Sequence, residues 1–233
     1  MEAKFWQKKW DEDSIGFHQA TVNKRLEQYW PKVLRTDTSS ADRVTSAEGS
    51  CVFVPLCGKS LDMLWLHSHG HKVLGVELSE KAVKAFFDEN KLGYEVRETS
   101  DFIHYEGMDN ASGISILVGD FFAMRDTHCQ ECVTYYDRAA MIAMEPQLRR
   151  KYAAHLSTVL PSGARGLLLT IDYDQAQMKG PPFSVSDENV TELLGGAFYI
   201  EELALFSGPR HVGSLAQRGL ETLDERVYLL NKR

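Results

Sequence analysis

The chain has 233 residues, 43% of them hydrophobic and 25% charged, with a formal net charge of -7. That length supports one well-buried core, read as a single domain over 1–233, and no stretch approaches the ~20 apolar residues of a membrane helix. The acidic balance creates no field that gathers nucleic acid or anionic membrane. The opening Met1-Glu2-Ala3-Lys4-Phe5-Trp6 lacks the apolar core of a secretory signal, so a cytoplasmic location is expected.

Residues 1–35 set Trp6, Trp10, Leu26, Trp30 and Leu34 among charged neighbours, a helical pattern broken near 11–16, and the polar stretch 36–50 reads as a linker. From Cys51 onward, short apolar or β-branched runs alternate with helical segments, the pattern of a parallel sheet with helices on both faces. The strands are expected at Cys51–Pro55, Lys72–Glu77, 114–119, 133–137 and 166–172. Helices are expected at 60–69 and 79–90, each opened by a capping serine, and at 147–160. A Gly180-Pro181-Pro182-Phe183 loop, a helix at Asp187–Leu194 and two strands at 198–206 and 226–230 follow, the last two as an antiparallel hairpin. The expected fold is therefore α/β and Rossmann-like: seven strands, mostly parallel, with a C-terminal hairpin and an N-terminal helical arm.

Of four cysteines, Cys51 and Cys57 flank the first strand, and Cys129 and Cys132 form one C-x-x-C beside His128. No second pair completes a zinc site, so no metal is expected, and the run from Cys132 into a strand argues against a thioredoxin-type helix start. The pair reads as a surface turn holding two ordinary cysteines.

In an open α/β sheet a ligand sits beyond the carboxyl ends of the strands. The first expected strand ends in Leu56-Cys57-Gly58-Lys59-Ser60, where Gly58 lets backbone approach a ligand. The second ends at Glu77, about 20 residues beyond Leu56, the spacing at which such folds place a ribose-binding carboxylate. The third ends Gly119-Asp120-Phe121-Phe122, an acid suited to an adenine amino group or simply to capping a helix, and the fourth ends Tyr136-Asp137-Arg138. The turn lacks G-x-G-x-x-G, which argues against a nicotinamide dehydrogenase; a nucleoside without phosphates suits it. Cys57 reads as a small residue packed against the turn, since only Lys59 nearby could lower a thiol pKa.

The strings Trp6-Gln7-Lys8-Lys9-Trp10, Gly16-Phe17-His18-Gln19, Phe53-Val54-Pro55-Leu56-Cys57-Gly58-Lys59, Gly75-Val76-Glu77-Leu78-Ser79, Tyr136-Asp137-Arg138-Ala139-Ala140 and Gly180-Pro181-Pro182-Phe183 resemble those of the thiopurine S-methyltransferases, within the class I methyltransferases, over nearly the whole chain. The resemblance implies S-adenosylmethionine as cofactor, leaving as S-adenosylhomocysteine, bound by Trp6, Trp10, Leu56, Glu77, Gly119, Asp120 and Arg138, with the arm as a lid. It implies an aromatic or heterocyclic thiol as acceptor, or a selenium or tellurium species. That acceptor would be faced by Phe17, flanked by Arg138 and Arg210, which would hold the thiolate, and walled by Pro182 and Phe183. A monomer is implied. The linker is longer than in the family's bacterial members, and 125–131 matches only loosely. The open alternative is a protein that binds the cofactor without turnover or methylates another small molecule.

Overall fold

The computed structural model describes residues 3–34 and 49–233; the expected linker lies, over 36–48, outside the described residues. Nine strands form one sheet: β1 (Cys51–Pro55), β2 (Lys72–Glu77), β3 (Tyr94–Glu98), β4 (Ile103–Gly107), β5 (Ile114–Val118), β6 (Thr134–Asp137), β7 (Arg165–Asp172), β8 (Phe198–Ser207) and β9 (Asp224–Lys232). The order is β3-β4-β5-β2-β1-β6-β7-β9-β8. The five central strands from β5 to β7 run parallel, and β9 pairs antiparallel to both β7 and β8, which makes the expected C-terminal hairpin.

The seven-strand count is corrected by the antiparallel pair β3 and β4, added at the β5 edge. Every residue of β3 after Tyr94 is exposed, and Glu95, Arg97 and Glu98 break any apolar alternation. A short, charged edge strand blunts further pairing and leaves little hydrophobic signal.

The helices are α1 (Ala3–Asp11), α2 (Lys24–Leu34), α3 (Asp62–Ser68), α4 (Glu80–Glu89), α5 (Asp126–Cys129), α6 (Ala140–Ala143), α7 (Pro146–Val159) and α8 (Asp187–Leu194). Ser79 caps α4 as expected, its hydroxyl accepting from the Ala82 N–H at 3.3 Å. Ser60 does not cap α3, which starts after Leu61; its hydroxyl accepts from Asp62 N–H at 3.3 Å instead.

Period-two alternation in the central strands feeds two cores. Val52, Val54, Leu167 and Leu169 face α2, α3 and α4 through Leu26, Trp30, Met63, Leu66 and Phe86. Phe53 and Leu168, on the other face, meet Tyr152 and Leu156 of α7 and Val190 and Leu194 of α8. Burial on both faces explains why these strands read as near-continuous apolar runs. Among the described residues no helix is long and apolar enough to cross a membrane.

The C-x-x-C pair is not a surface turn, and both cysteines are buried. Cys129 ends α5 beneath α7, while Cys132 faces Cys51 where β6 meets β1, the two sulfurs 2.50 Å apart in a disulfide pairing. The expectation failed because spacing within one segment says nothing about the neighbouring strand that supplies the partner.

Candidate active site

Between β1 and β6 the chain order of the sheet reverses, and in such sheets the crevice beyond the strand ends at that point takes the ligand. The turn after β1 is built tightly there. Leu56 and Gly58 both hold left-handed backbone, φ 49° and 52°, which a leucine rarely adopts. Cys57 lies over Gly75 of β2, where an added Cβ would sit 2.7 Å from its sulfur, so the cysteine is a packing element. Burial, with Glu77 beside it, pushes the Cys57 thiol well up, away from nucleophilic thiolate character.

Glu77 ends β2 in a buried position, one carboxylate oxygen accepting from Gly58 N–H and the other from Ser79 N–H, each at 2.9 Å. Burial raises its carboxyl above the ordinary range, and the backbone N–H groups oppose that rise by favouring the ionised form. Across the crevice Asp120 is exposed; one oxygen caps a short 3-10 turn through Phe122 N–H at 2.9 Å. The helix-capping reading of Asp120 thus describes one of its two oxygens, and the other has no partner among the described residues.

The arm closes over this turn. Trp10 is buried, and its ring would stand 3.1 Å from a Cβ on Gly58. Phe17 packs edge-on against Trp6 and Trp10, with centroids 5.5 and 5.4 Å away. Lys81 of α4, which carries no local signal in the sequence, donates from its ammonium to the carbonyls of Trp10 and Asp11 at 2.8 and 3.1 Å. A cation at the last carbonyls of α1 also suits the helix dipole.

Arg138 follows β6 and lines a cavity of about 90 Å3 together with Gln19, Asn23, Ile142, Thr170 and Glu225. Its Nε donates to Asp62 at 3.0 Å, and among the described residues neither terminal guanidinium nitrogen has a protein acceptor. Thr170 is buried, and its hydroxyl has no hydrogen-bond partner among the described residues. Glu225 is held by Arg25 at 2.8 Å. Asp62 was missed because an acid in the first turn of a helix looks like ordinary dipole compensation.

Phe183 and Pro182 do not line this cavity but brace it: Phe183 N–H donates to the Ile142 carbonyl at 2.7 Å, and the Tyr173 hydroxyl donates to the Pro182 carbonyl at 2.6 Å. Arg210 is not brought to the cavity. It is exposed in the turn Pro209–His211, with Nε on His211 at 3.0 Å. The His211 ring packs on Phe206, which Arg25 covers at 3.4 Å, so a run of contacts joins Arg210 to the cavity rim.

Asp137 shows how the end of β6 is fixed. It is buried, accepts from Ala140 and Met141 N–H groups at 2.9 and 3.3 Å and from the Tyr152 hydroxyl at 2.6 Å, and burial pushes its carboxyl up to about 6. With the folded value above the unfolded ~3.9, the folded state binds the extra proton between those values, so this group stabilises as pH falls through that window. From pH 7 to pH 5, urea unfolding is expected to show wild type gaining about 1 kcal/mol relative to Asp137→Asn. An unchanging difference would contradict this role.

A parallel-centred sheet with an acid after its second strand, a glycine turn after its first and an aromatic lid defines a class I methyltransferase. The family profile described as thiopurine S-methyltransferase matches residues 1–233, and the chain belongs to that family. A thiopurine S-methyltransferase of Azotobacter vinelandii is 46% identical over 233 residues, covering all of both chains, and one of Pseudomonas fluorescens is 46% identical over 228 residues, covering 98% of each. Among solved structures, an S-adenosylmethionine-dependent methyltransferase of Anabaena variabilis superposes with a TM-score of 0.62 at 14% identity, covering 99% of this chain and 95% of that one. The 1,6-didemethyltoxoflavin-N1-methyltransferase of Burkholderia thailandensis, solved with S-adenosylhomocysteine, gives 0.60 at 13% identity, over 99% and 86%. The chain is thus an S-adenosylmethionine-dependent methyltransferase.

Proposed function

We propose that this enzyme methylates the sulfur of aromatic or heterocyclic thiols, thiopurines among them, with selenium or tellurium anions as a second acceptor class, and works as a single-domain cytoplasmic monomer without metal or nucleic-acid partners. The observation that carries this reading is the guanidinium of Arg138, whose two terminal nitrogens have no acceptor among the described residues where it lines a small cavity. A permanent cation with two parallel donors suits an anionic sulfur or a ring nitrogen beside it.

The cofactor fits the residues present. Glu77 keeps lone pairs for two vicinal hydroxyls, the open oxygen of Asp120 can accept from an exocyclic amine, and Leu56 with Gly58 presents a close backbone turn. When bound, S-adenosylmethionine supplies an electrophilic methyl on a sulfonium. Held by Glu77, Asp120 and the Leu56–Gly58 turn, it would give that methyl to a thiolate and would leave as the neutral sulfide, taking the electron pair of the broken C–S bond. The acceptor arrives ionised, and the chain's task is chiefly to orient it and exclude water. Arg138 holds the anion, Trp6, Trp10 and Phe17 close the entrance, and the Gly180-Pro181-Pro182-Phe183 loop steadies Ile142.

The test is a set of arylthiols of graded acidity. Plots of kcat/KM against pH are expected to rise with each acceptor's own ionisation and then stay flat. With S-adenosylmethionine saturating at every pH, a common inflection independent of the acceptor would show that the protein removes the proton itself.

A further inference from the structure

Asp62 makes more side-chain contacts than a helix-start acid needs. It sits in the first turn of α3 and is 2% exposed, yet three donors from two segments distant in the chain, one at residue 23 and one at the end of β6, converge on its carboxylate. One oxygen accepts from the Asn23 backbone N–H at 2.8 Å. The other accepts from the Tyr136 hydroxyl at 3.2 Å and from Arg138 Nε at 3.0 Å. Asn23 in turn holds its own stretch, its side-chain oxygen accepting from Arg25 N–H at 2.8 Å and its amide reaching Gln19 at 3.4 Å. Gln19, Asn23 and Arg138 all line the same cavity.

We propose that Asp62 is the positioning residue of the acceptor site, fixing the Arg138 guanidinium and the wall at Gln19 and Asn23 in one register through a single buried carboxylate. The inference rests on the reading of Arg138 as the acceptor's anchor. Engaging Nε leaves the two terminal nitrogens side by side, the edge that a bidentate anion needs. Asp62 also partly neutralises Arg138, so its contribution is to orientation rather than to raw attraction. Alignment errors of about 1 Å can cost of order 100-fold in rate, so losing this bond should appear in kcat more than in acceptor KM.

The Asp62→Asn variant keeps the shape but replaces one acceptor oxygen with a donor that faces the donors already present. With 6-mercaptopurine as acceptor, kcat is expected to fall about 10- to 100-fold, the worth of one hydrogen bond between charged groups, while the S-adenosylmethionine Kd by calorimetry stays within about twofold. The decisive readout is the double variant. In an Arg138→Met background, Asp62→Asn should cost several-fold less than in wild type, because the two changes share the Asp62–Arg138 bond and only the hold on Asn23 is left to lose. Full additivity, or an equal loss of cofactor affinity, would overturn the proposal and leave Asp62 a general support of α3. If instead Arg138→Met alone left acceptor kinetics unchanged with cofactor bound, the reading of Arg138 would fail. Should Asp62→Asn not fold, Tyr136→Phe removes the other donor to the oxygen that Arg138 shares; kcat held within about threefold supports the Arg138 bond as the effective one, and a loss equal to that of Arg138→Met counts against it.

Discussion

Glu77→Gln is expected to weaken S-adenosylmethionine binding about 200-fold by calorimetry and to lower the melting temperature, since its amide nitrogen would face a buried backbone donor. The carboxylate is buried at the end of β2, and both its oxygens are already oriented by Gly58 and Ser79 N–H groups. Two ribose hydroxyls donating to that anion would make two charge-assisted bonds worth about 1.5 kcal/mol or more each, and a difference of about 3 kcal/mol is a factor near 200. Glutamine offers one acceptor oxygen and turns an amine toward the turn. Since burial raises the Glu77 carboxyl, affinity in the wild type should weaken on acidification from a pH above the ordinary carboxylate range, and that dependence should vanish in the variant. An unaltered Kd would remove Glu77 from the cofactor site.

Arg138→Met is expected to lower kcat/KM for an arylthiolate about 10- to 100-fold, the worth of a hydrogen bond between charged groups, since the anion's charge falls rather than grows toward the transition state. The side chain is largely buried, with one edge fixed by Asp62 and the other free at the cavity, so it costs little reorganisation at the moment of reaction. Methionine retains much of the stem's packing and removes the charge. The loss should shrink for acceptors that carry no negative charge. A uniform loss across charged and neutral acceptors would indicate damaged packing instead.

The central sheet was legible because both its faces are covered, which writes apolar runs into β1, β2, β5, β6 and β7 with acids and glycines at their carboxyl ends. Glu77 stood out by position after a strand, a local property of sequence, whereas the role expected of Arg138 came from the resemblance of the string around it. The β3–β4 edge did not stand out, since its residues are exposed and charged. Asp62 did not either, because its meaning lies in three donors brought from residues 23, 136 and 138 by folding. The same holds for Lys81 on the arm and for Cys132 opposite Cys51, each a contact between segments distant in the chain. Arg210 illustrates the converse, a residue suggested by resemblance that the fold leaves on an exposed turn beside the rim.

The most direct test of the account follows labelled methyl from S-adenosylmethionine with 6-mercaptopurine, a catechol, a primary amine and selenite offered in parallel. The account predicts label on the thiol sulfur, with the selenium anion as the second acceptor and negligible transfer to oxygen or nitrogen. Label appearing chiefly on the catechol or the amine, or cofactor binding with no transfer to any of the four, would contradict it.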